Sequence, residues 1–236
     1  MVLSKRLQAL ADMVTPGHCV ADVGCDHGFV AIYLVEEKIC PRVIAMDVNK
    51  GPLQRAREHI VSHGLERYID TRLSDGLEAL EVGEVQTMLC AGMGGRLMQG
   101  ILTRGKEKAR AMEELILQPQ SEISVFRCFL RQAGYGIIEE KMILEDGKFY
   151  PMMRVVPGLA AQEPGSLQKQ RLEDKFGRYL LERKDPILAQ FLQFQLHTYE
   201  EILGKIRENR GSCPEEAGVL SEIEDMQAAL SLMEGG

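Results

Sequence analysis

A glycine-bearing loop with three carboxylate and imidazole side chains, Asp22-Val23-Gly24-Cys25-Asp26-His27-Gly28, follows directly on a short apolar run from Cys19 to Val23. In an α/β sheet, such a loop lies over the carboxyl end of a strand, where these sheets take their ligands. A dinucleotide fingerprint needs glycine at 24, 26 and 29 so that the backbone can approach a pyrophosphate, and this chain has Gly, Asp and Phe there. A carboxylate on the loop repels a pyrophosphate but accommodates the sulfonium and ammonium of S-adenosylmethionine. Taken alone, the loop is equally an ordinary strand-to-helix turn with a capping Asp.

Two more carboxylates fall at the ends of the next apolar runs. Asp47, in Ala45-Met46-Asp47-Val48-Asn49, stands where an acid accepts from ribose hydroxyls, and Asp75, in Leu73-Ser74-Asp75-Gly76, where one could accept from an adenine amino group. Three in register favour a cofactor site over three unrelated helix caps. The expected cofactor residues are Asp22, Gly24, Cys25, Gly28, Asp47, Val48, Ser74, Asp75, Gly76, Ala91 and Gly92. A fourth run ends in Ala91-Gly92-Met93-Gly94-Gly95, whose three glycines predict open backbone for a methyl acceptor beside Met93 and Gly94. The chain has no Asn-Pro-Pro-Tyr or Asp-Pro-Pro-Tyr, the signature used on exocyclic amines. A ring nitrogen with an in-plane lone pair chiefly needs alignment, which such a loop can provide.

The elements that must position these residues follow from periodicity. Strands are expected at Cys19 to Val23, Arg42 to Val48, Ile69 to Leu73, Val85 to Ala91, Glu114 to Gln118, Gly136 to Leu144 and Phe149 to Val156. Helices are expected at Met1 to Val14, Phe29 to Glu37, Pro52 to His63, Arg96 to Lys108 and Ser121 to Ala133. Asp146-Gly147 predicts a hairpin between the last two strands. The fold class is therefore α/β, a seven-stranded Rossmann-like sheet of methyltransferase type, over residues 1–158. Residues 159–236 read as a helical domain, with a linker at Gln162 to Gly165. In that domain Ile187, Phe191, Phe194, Thr198, Ile202 and Ile206 make one stripe. After a break at Gly211 to Pro214, Val219, Ile223, Met226, Leu230 and Met233 make another, which suggests an antiparallel coiled-coil-like pair.

Composition narrows the function classes. The 236 residues are 45% hydrophobic and 27% charged, and the longest apolar stretch, Phe29 to Val35, is too short to span a bilayer, so no membrane partner and a cytoplasmic location are expected. Six cysteines without a Cys-x-x-Cys pair read as reduced thiols. The net charge of −7 is uneven: residues 158–210 carry 9 basic and 8 acidic side chains, residues 211–236 none and 6. A local basic face for a polyanion thus remains open. His59 and His63 sit four apart but lack a third ligand, so an exposed helix face is expected and no metal. Arg104, Lys106, Lys108 and Arg110 read equally as phosphate contacts or as a solvated face, and Phe176, Tyr179, Phe191 and Phe194 as helical core.

Leu3-Ser4-Lys5-Arg6-Leu7, the loop at 22–28, Ala45 to Leu53, Ala91 to Gly95 and Leu117-Gln118-Pro119 together resemble the bacterial tRNA (adenine(22)-N1)-methyltransferases, the TrmK family. The resemblance implies a class I methyltransferase fold, S-adenosylmethionine as methyl donor and tRNA as acceptor, with no protein partner implied. Its motifs also suggest Arg6 and Asn49 as positioning residues, with Gln118 and Tyr150 behind them. The charge that N1 methylation leaves on adenine puts Asp26 and His27, beside Met93 and Gly94, in the catalytic group, and the basic balance of residues 158–210 makes the C-terminal helices a possible tRNA-binding arm. On the Rossmann motifs alone, a small-molecule methyltransferase or a non-catalytic protein that binds adenosine compounds would also fit.

Overall fold

The first element of the computed structural model is a short helix, α1 (Lys5–Ala11), and seven strands in a single sheet follow it. The structure describes residues 1–159, 166–208 and 214–235. The expected linker at 162–165 and most of the break at 211–214 lie outside the described residues. In chain order the strands and their helices are β1 (Val20–Val23), α2 (Phe29–Glu36), β2 (Val43–Asp47), α3 (Lys50–Ser62), β3 (Ile69–Leu73), β4 (Thr87–Met93), α4 (Gly95–Arg104), α5 (Lys106–Arg110), β5 (Glu114–Pro119), α6 (Ile123–Gln132), β6 (Tyr135–Glu145) and β7 (Lys148–Pro157). All seven expected strands are present.

The sheet order is β3-β2-β1-β4-β5-β7-β6, parallel as far as β5 and antiparallel where β7 joins β5 and β6. The chain winds outward from β1 to β3 and then returns to place β4 on the other side of β1. That reversal opens a crevice above the carboxyl ends of β1 and β4. β1 and β5 are buried along their whole length, as continuous apolar strands covered on both faces must be. One core cluster unites Leu10, Ile32 and Ile60 from α1, α2 and α3, and the other unites Met98, Leu102, Phe126 and Leu130 from α4 and α6. Between β5 and β6, the buried pair Arg127 Nε to Glu140 Oε1 at 2.8 Å ties α6 to the edge strand.

Two helices depart from expectation for local reasons. The first is shorter than Met1 to Val14, beginning after Ser4, whose hydroxyl accepts from the Leu7 amide. The helix expected from Arg96 to Lys108 is two, because Gly105 leaves helical geometry at ψ 23°. A Cβ on Gly105 would lie 2.8 Å from Leu77 Cδ1, so the break lets the turn pack onto the chain after β3.

The chain divides into two compact units, Met1–Gln162 and Glu163–Gly236. The second contains α7 (Leu167–Phe176), α8 (Arg178–Glu182), α9 (Pro186–Glu208) and α10 (Pro214–Glu234). Asp185 starts α9 by accepting from the Ile187 and Leu188 amides, with Pro186 in the first helical turn. Arg207 at the end of α9 meets Glu216 at the start of α10 at 2.9 Å, as an antiparallel pair requires. The buried face of α9 is carried by Leu188 and Leu192, one position on from the expected stripe, and Phe194 is 59% exposed rather than core. On α10 the expected Ile223, Met226 and Met233 are buried, joined by Ala229. Lys175 of α7 bonds Glu222 at 2.7 Å, and Arg171 bonds Asp225 at 2.7 Å, fastening α7 to α10.

Candidate active site

β1 delivers Asp22 into the crevice and ends at Val23, where the chain must turn sharply. Gly24 makes that turn at φ 80°, and the amides of Gly24 and Cys25 both donate to the Met46 carbonyl, at 2.8 and 3.0 Å, which pins the loop to β2. Asp26 then adopts φ 44°, a left-handed conformation that costs a non-glycine residue energy and that Asp tolerates better than most. Its carboxylate faces Arg55 Nη2 at 3.4 Å and His27 Nε2 at 3.7 Å. Gly28, at φ 71°, starts α2 so close to α3 that a Cβ would sit 3.2 Å from that of Ala56.

The loop overhangs a cavity of about 500 Å³. Its wall gathers Asp22, Gly24, Cys25, Asp26, His27, Asp47, Ala91, Gly92, Met93 and Arg6 from the sequence-expected residues, and adds Leu7, Phe29, Val30, Leu89 and Gln120. The cavity thus brings together members of both expected groups, cofactor and catalytic. Gly28, Val48, Asn49, Ser74, Asp75, Gly76 and Gly94 are not in that wall. Val48 points outward, 60% exposed, and Asn49 caps α3, its amide donating to Asp47 Oδ1 at 2.8 Å. Ser74 is buried, bonding the Gly76 carbonyl and the Ala79 amide. Asp75 accepts from Arg104 Nη2 at 2.9 Å and lines a smaller cavity of about 290 Å³ with Leu77, Ile101 and Lys106.

The glycines after β4 divide their tasks. Gly92, at φ 77°, sits where the β4–β5 register shifts, and this bulge turns its amide to Gln118 Oε1 at 3.2 Å. Gly94 and Gly95 are not open backbone as expected: added Cβ atoms would lie 3.0 Å from Ser121 Oγ and 2.7 Å from the Ser121 carbonyl. They let α4 start tightly against the chain after β5. Met93 lays its thioether over Gly24, where a Cβ would meet Met93 Cε at 2.2 Å.

Gln118 is wholly buried, and its side-chain oxygen also accepts from Arg6 Nη1 at 3.0 Å. The guanidinium carbon lies 5.3 Å from the centroid of the Tyr150 ring, so β7 holds Arg6 from the other side. Arg6, Gln118 and Tyr150, distant in sequence, therefore form one assembly, of which Arg6 lines the cavity while Gln118 and Tyr150 stand behind it.

Electrostatics single out the floor. Asp22 is 4% exposed and has no hydrogen-bond donor among the described residues, and burial together with the Asp47 charge pushes its carboxyl up to about 7. Burial, with Asp22 and Asp47 nearby, pushes the Cys25 thiol up as well, and Cys90 is pushed up to about 12, so neither thiol is poised as a nucleophile. Two carboxylates without a counter-charge among the described residues are a receptor for a cation that also carries hydroxyl donors. The ammonium, sulfonium and ribose of S-adenosylmethionine match that donor set.

Other expected features have structural duties. Lys108 caps the Leu77 and Glu78 carbonyls, and Arg110 donates to the Ala133 carbonyl. His63 meets Glu36 at 2.6 Å. His59 does not lie on a bare helix face: its Nδ1–H donates to the His27 carbonyl at 2.9 Å and its ring packs against His27 and Phe29. Sequence reasoning missed Phe29, read only as the first residue of an apolar helix, and Gln120, which follows Pro119 with no signal of its own.

Known proteins share this architecture. Residues 3–153 match the family described as a methyltransferase domain. The chain is 35% identical over 206 residues to the tRNA (adenine(22)-N(1))-methyltransferase of Bacillus subtilis (strain 168), covering 85% of each protein. A Streptococcus pneumoniae protein, provisionally assigned as a tRNA (m1A22) methyltransferase and solved with S-adenosyl-L-methionine, superposes with a TM-score of 0.85 at 33% identity, covering 97% of this chain and 100% of that one. The Bacillus subtilis M1A22 tRNA methyltransferase TrmK superposes with a TM-score of 0.79 at 27% identity, covering 99% and 97%.

Proposed function

Since this chain belongs to the tRNA (adenine(22)-N1)-methyltransferase family, we propose that it methylates N1 of adenine 22 in tRNA, using S-adenosylmethionine. The observation that carries the reading is the uncompensated pair of carboxylates, Asp22 and Asp47, on the floor of a cavity whose rim also holds Asp26 and His27. When bound, the cofactor supplies a methyl carbon on a sulfonium, which becomes a neutral thioether as the N1 lone pair takes the methyl. Asp22 receives the ammonium and Asp47 the ribose hydroxyls. Asp75 joins them at the adenine only if it gives up Arg104. Gly24, Cys25, Ala91 and Gly92 supply backbone close to the cofactor.

Methylation leaves a positive charge on the adenine, and the Asp26 carboxylate is held at the cavity rim to stabilise it. His27 or Asp26 accepts the amino proton if one is released. Met93 and Arg6, the latter held by Gln118, border the acceptor, with Asn49 supporting Asp47 through its backbone amide. N1 lies on the pairing edge, so the adenine has to leave its stack. Residues 1–158 form the catalytic domain and residues 159–236 the arm that holds the tRNA. No described helix is long and apolar enough to cross a membrane, and a tRNA substrate implies a cytoplasmic protein. Incubation with labelled donor and unmodified tRNA, followed by nucleoside separation, tests the reading: N1-methyladenosine is expected, and direct formation of N6-methyladenosine overturns it.

A further inference from the structure

We propose that Phe29, with His27 and His59, forms a stacking platform for the adenine that receives the methyl group. The proposal rests on the reading of the cavity as a tRNA methyltransferase site and names the surface that holds the extruded base. The three rings are nearly parallel, with interplanar angles of 8°, 13° and 21°. Their centroids lie 5.2, 5.2 and 5.7 Å apart. A column would put its outer rings twice as far apart as its neighbours. Nearly equal separations instead describe three offset tiles with a common normal, a stepped aromatic surface on which a purine can lie flat.

Burial separates this surface from ordinary packing. Phe29 is 39% exposed and the His27 side chain 35%, although Val30, the next residue, is buried. Both rings line the cavity. The bond from His59 Nδ1–H to the His27 carbonyl fastens the third ring to the loop that carries Asp26. Beside the rings stand charges of both signs that a nucleotide needs. Asp26 lies 3.7 Å from His27 Nε2, at the edge of the platform, where a methylated adenine carries its positive charge. Arg55, about half exposed on α3, lies 3.4 Å from Asp26 and can turn to a phosphate. Aromatic faces accept any base, and discrimination then comes from groups at the ring edge. The cofactor's own adenosine is drawn toward Asp47 on β2, which leaves the rings to the acceptor.

The test compares the full chain with its Phe29→Leu and Phe29→Tyr variants, using an unmodified tRNA transcript for kinetics and S-adenosylhomocysteine calorimetry for donor-site integrity. Phe29→Leu is expected to lower kcat/KM for tRNA by roughly 5- to 150-fold, the range found when a base loses an aromatic partner. Phe29→Tyr is expected to stay within about twofold of the parent, and both variants to bind S-adenosylhomocysteine within about twofold, since loss of an aromatic face leaves the acidic floor intact. In a transcript with 2-aminopurine at the acceptor position, binding is expected to quench fluorescence with Phe or Tyr at 29 and to leave it bright with Leu. An undiminished rate for Phe29→Leu overturns the proposal, as does a Tyr variant as impaired as Leu. A parallel loss of S-adenosylhomocysteine affinity also overturns it, by assigning the rings to the cofactor. If the unaltered chain forms no N1-methyladenosine in tRNA, the underlying functional reading fails first, before any variant is compared.

Discussion

Replacing Asp22 by Asn removes the buried charge while keeping the shape, and its effect on stability should depend on pH in a calculable way. The Asp22 carboxyl is pushed from 3.8 up to about 7 in the folded protein by burial and by Asp47. Between these values the unfolded chain has released the proton and the folded chain still holds it. The stabilisation is therefore complete below pH 3.8, falls by about 1.4 kcal/mol per pH unit, and is exhausted above pH 7. From pH 5 to pH 7 the parent should lose about 2 kcal/mol relative to Asp22→Asn, because the slope halves as the pH reaches the folded value, a divergence in Tm of roughly 4–8 °C for a chain of this size. Thermal unfolding of both proteins without cofactor, in buffers from pH 5 to 8.5, reads this directly. Calorimetry adds the converse: S-adenosylmethionine should bind the parent more tightly as pH rises through 7, and the Asn variant weakly at every pH. Parallel Tm curves from pH 5 to 7 would refute the assignment of an uncompensated charge to the cavity floor.

Three further outcomes follow from the geometry. Asp26→Asn, which suits the same left-handed backbone, should lower kcat by about 10- to 100-fold with donor affinity nearly unchanged, measured by single-turnover methylation and calorimetry. Deleting residues 160–236 should flatten the salt dependence of tRNA binding while leaving S-adenosylhomocysteine affinity within about twofold, since phosphate contacts set that slope. Glu140→Gln should cost about 3–5 kcal/mol in urea unfolding, because it removes one charge of a buried ion pair; a loss below about 1 kcal/mol would mean that water reaches the pair.

Local chemistry made the sheet legible. Apolar β-branched runs ending in carboxylates at Asp22 and Asp47 marked both the strands and the cavity floor, since burial and site position are written in the same few residues. Facts that depend on distant chain segments were not legible. Gly105 breaks a helix because Leu77 packs against it, and Asp75 is taken up by Arg104, partners 28 and 29 residues away in sequence. Phe29 carried an ordinary helical signal, and only the approach of His59 from α3 turned it into part of a surface. On α9 the apolar residues are dense enough to fit two adjacent stripes, so periodicity could not choose Leu188 and Leu192 over Ile187 and Phe194.

The sheet order has a consequence for how the protein is made. β7 is the last strand to leave the ribosome, yet it sits inside the sheet between β5 and β6. β6 emerges first and has β7 as its one strand partner, so it cannot join the sheet until its successor arrives. During synthesis the nascent chain can assemble β1 to β5, and with them most of the cavity, while β5 still presents an open edge to its surroundings. The segment from Lys148 to Pro157 then closes that edge and carries Tyr150 to Arg6 in one step. Completion of the Arg6–Tyr150 contact beside the cavity is thus coupled to closure of the open β5 edge, so truncated nascent products would lack both that contact and a protected sheet.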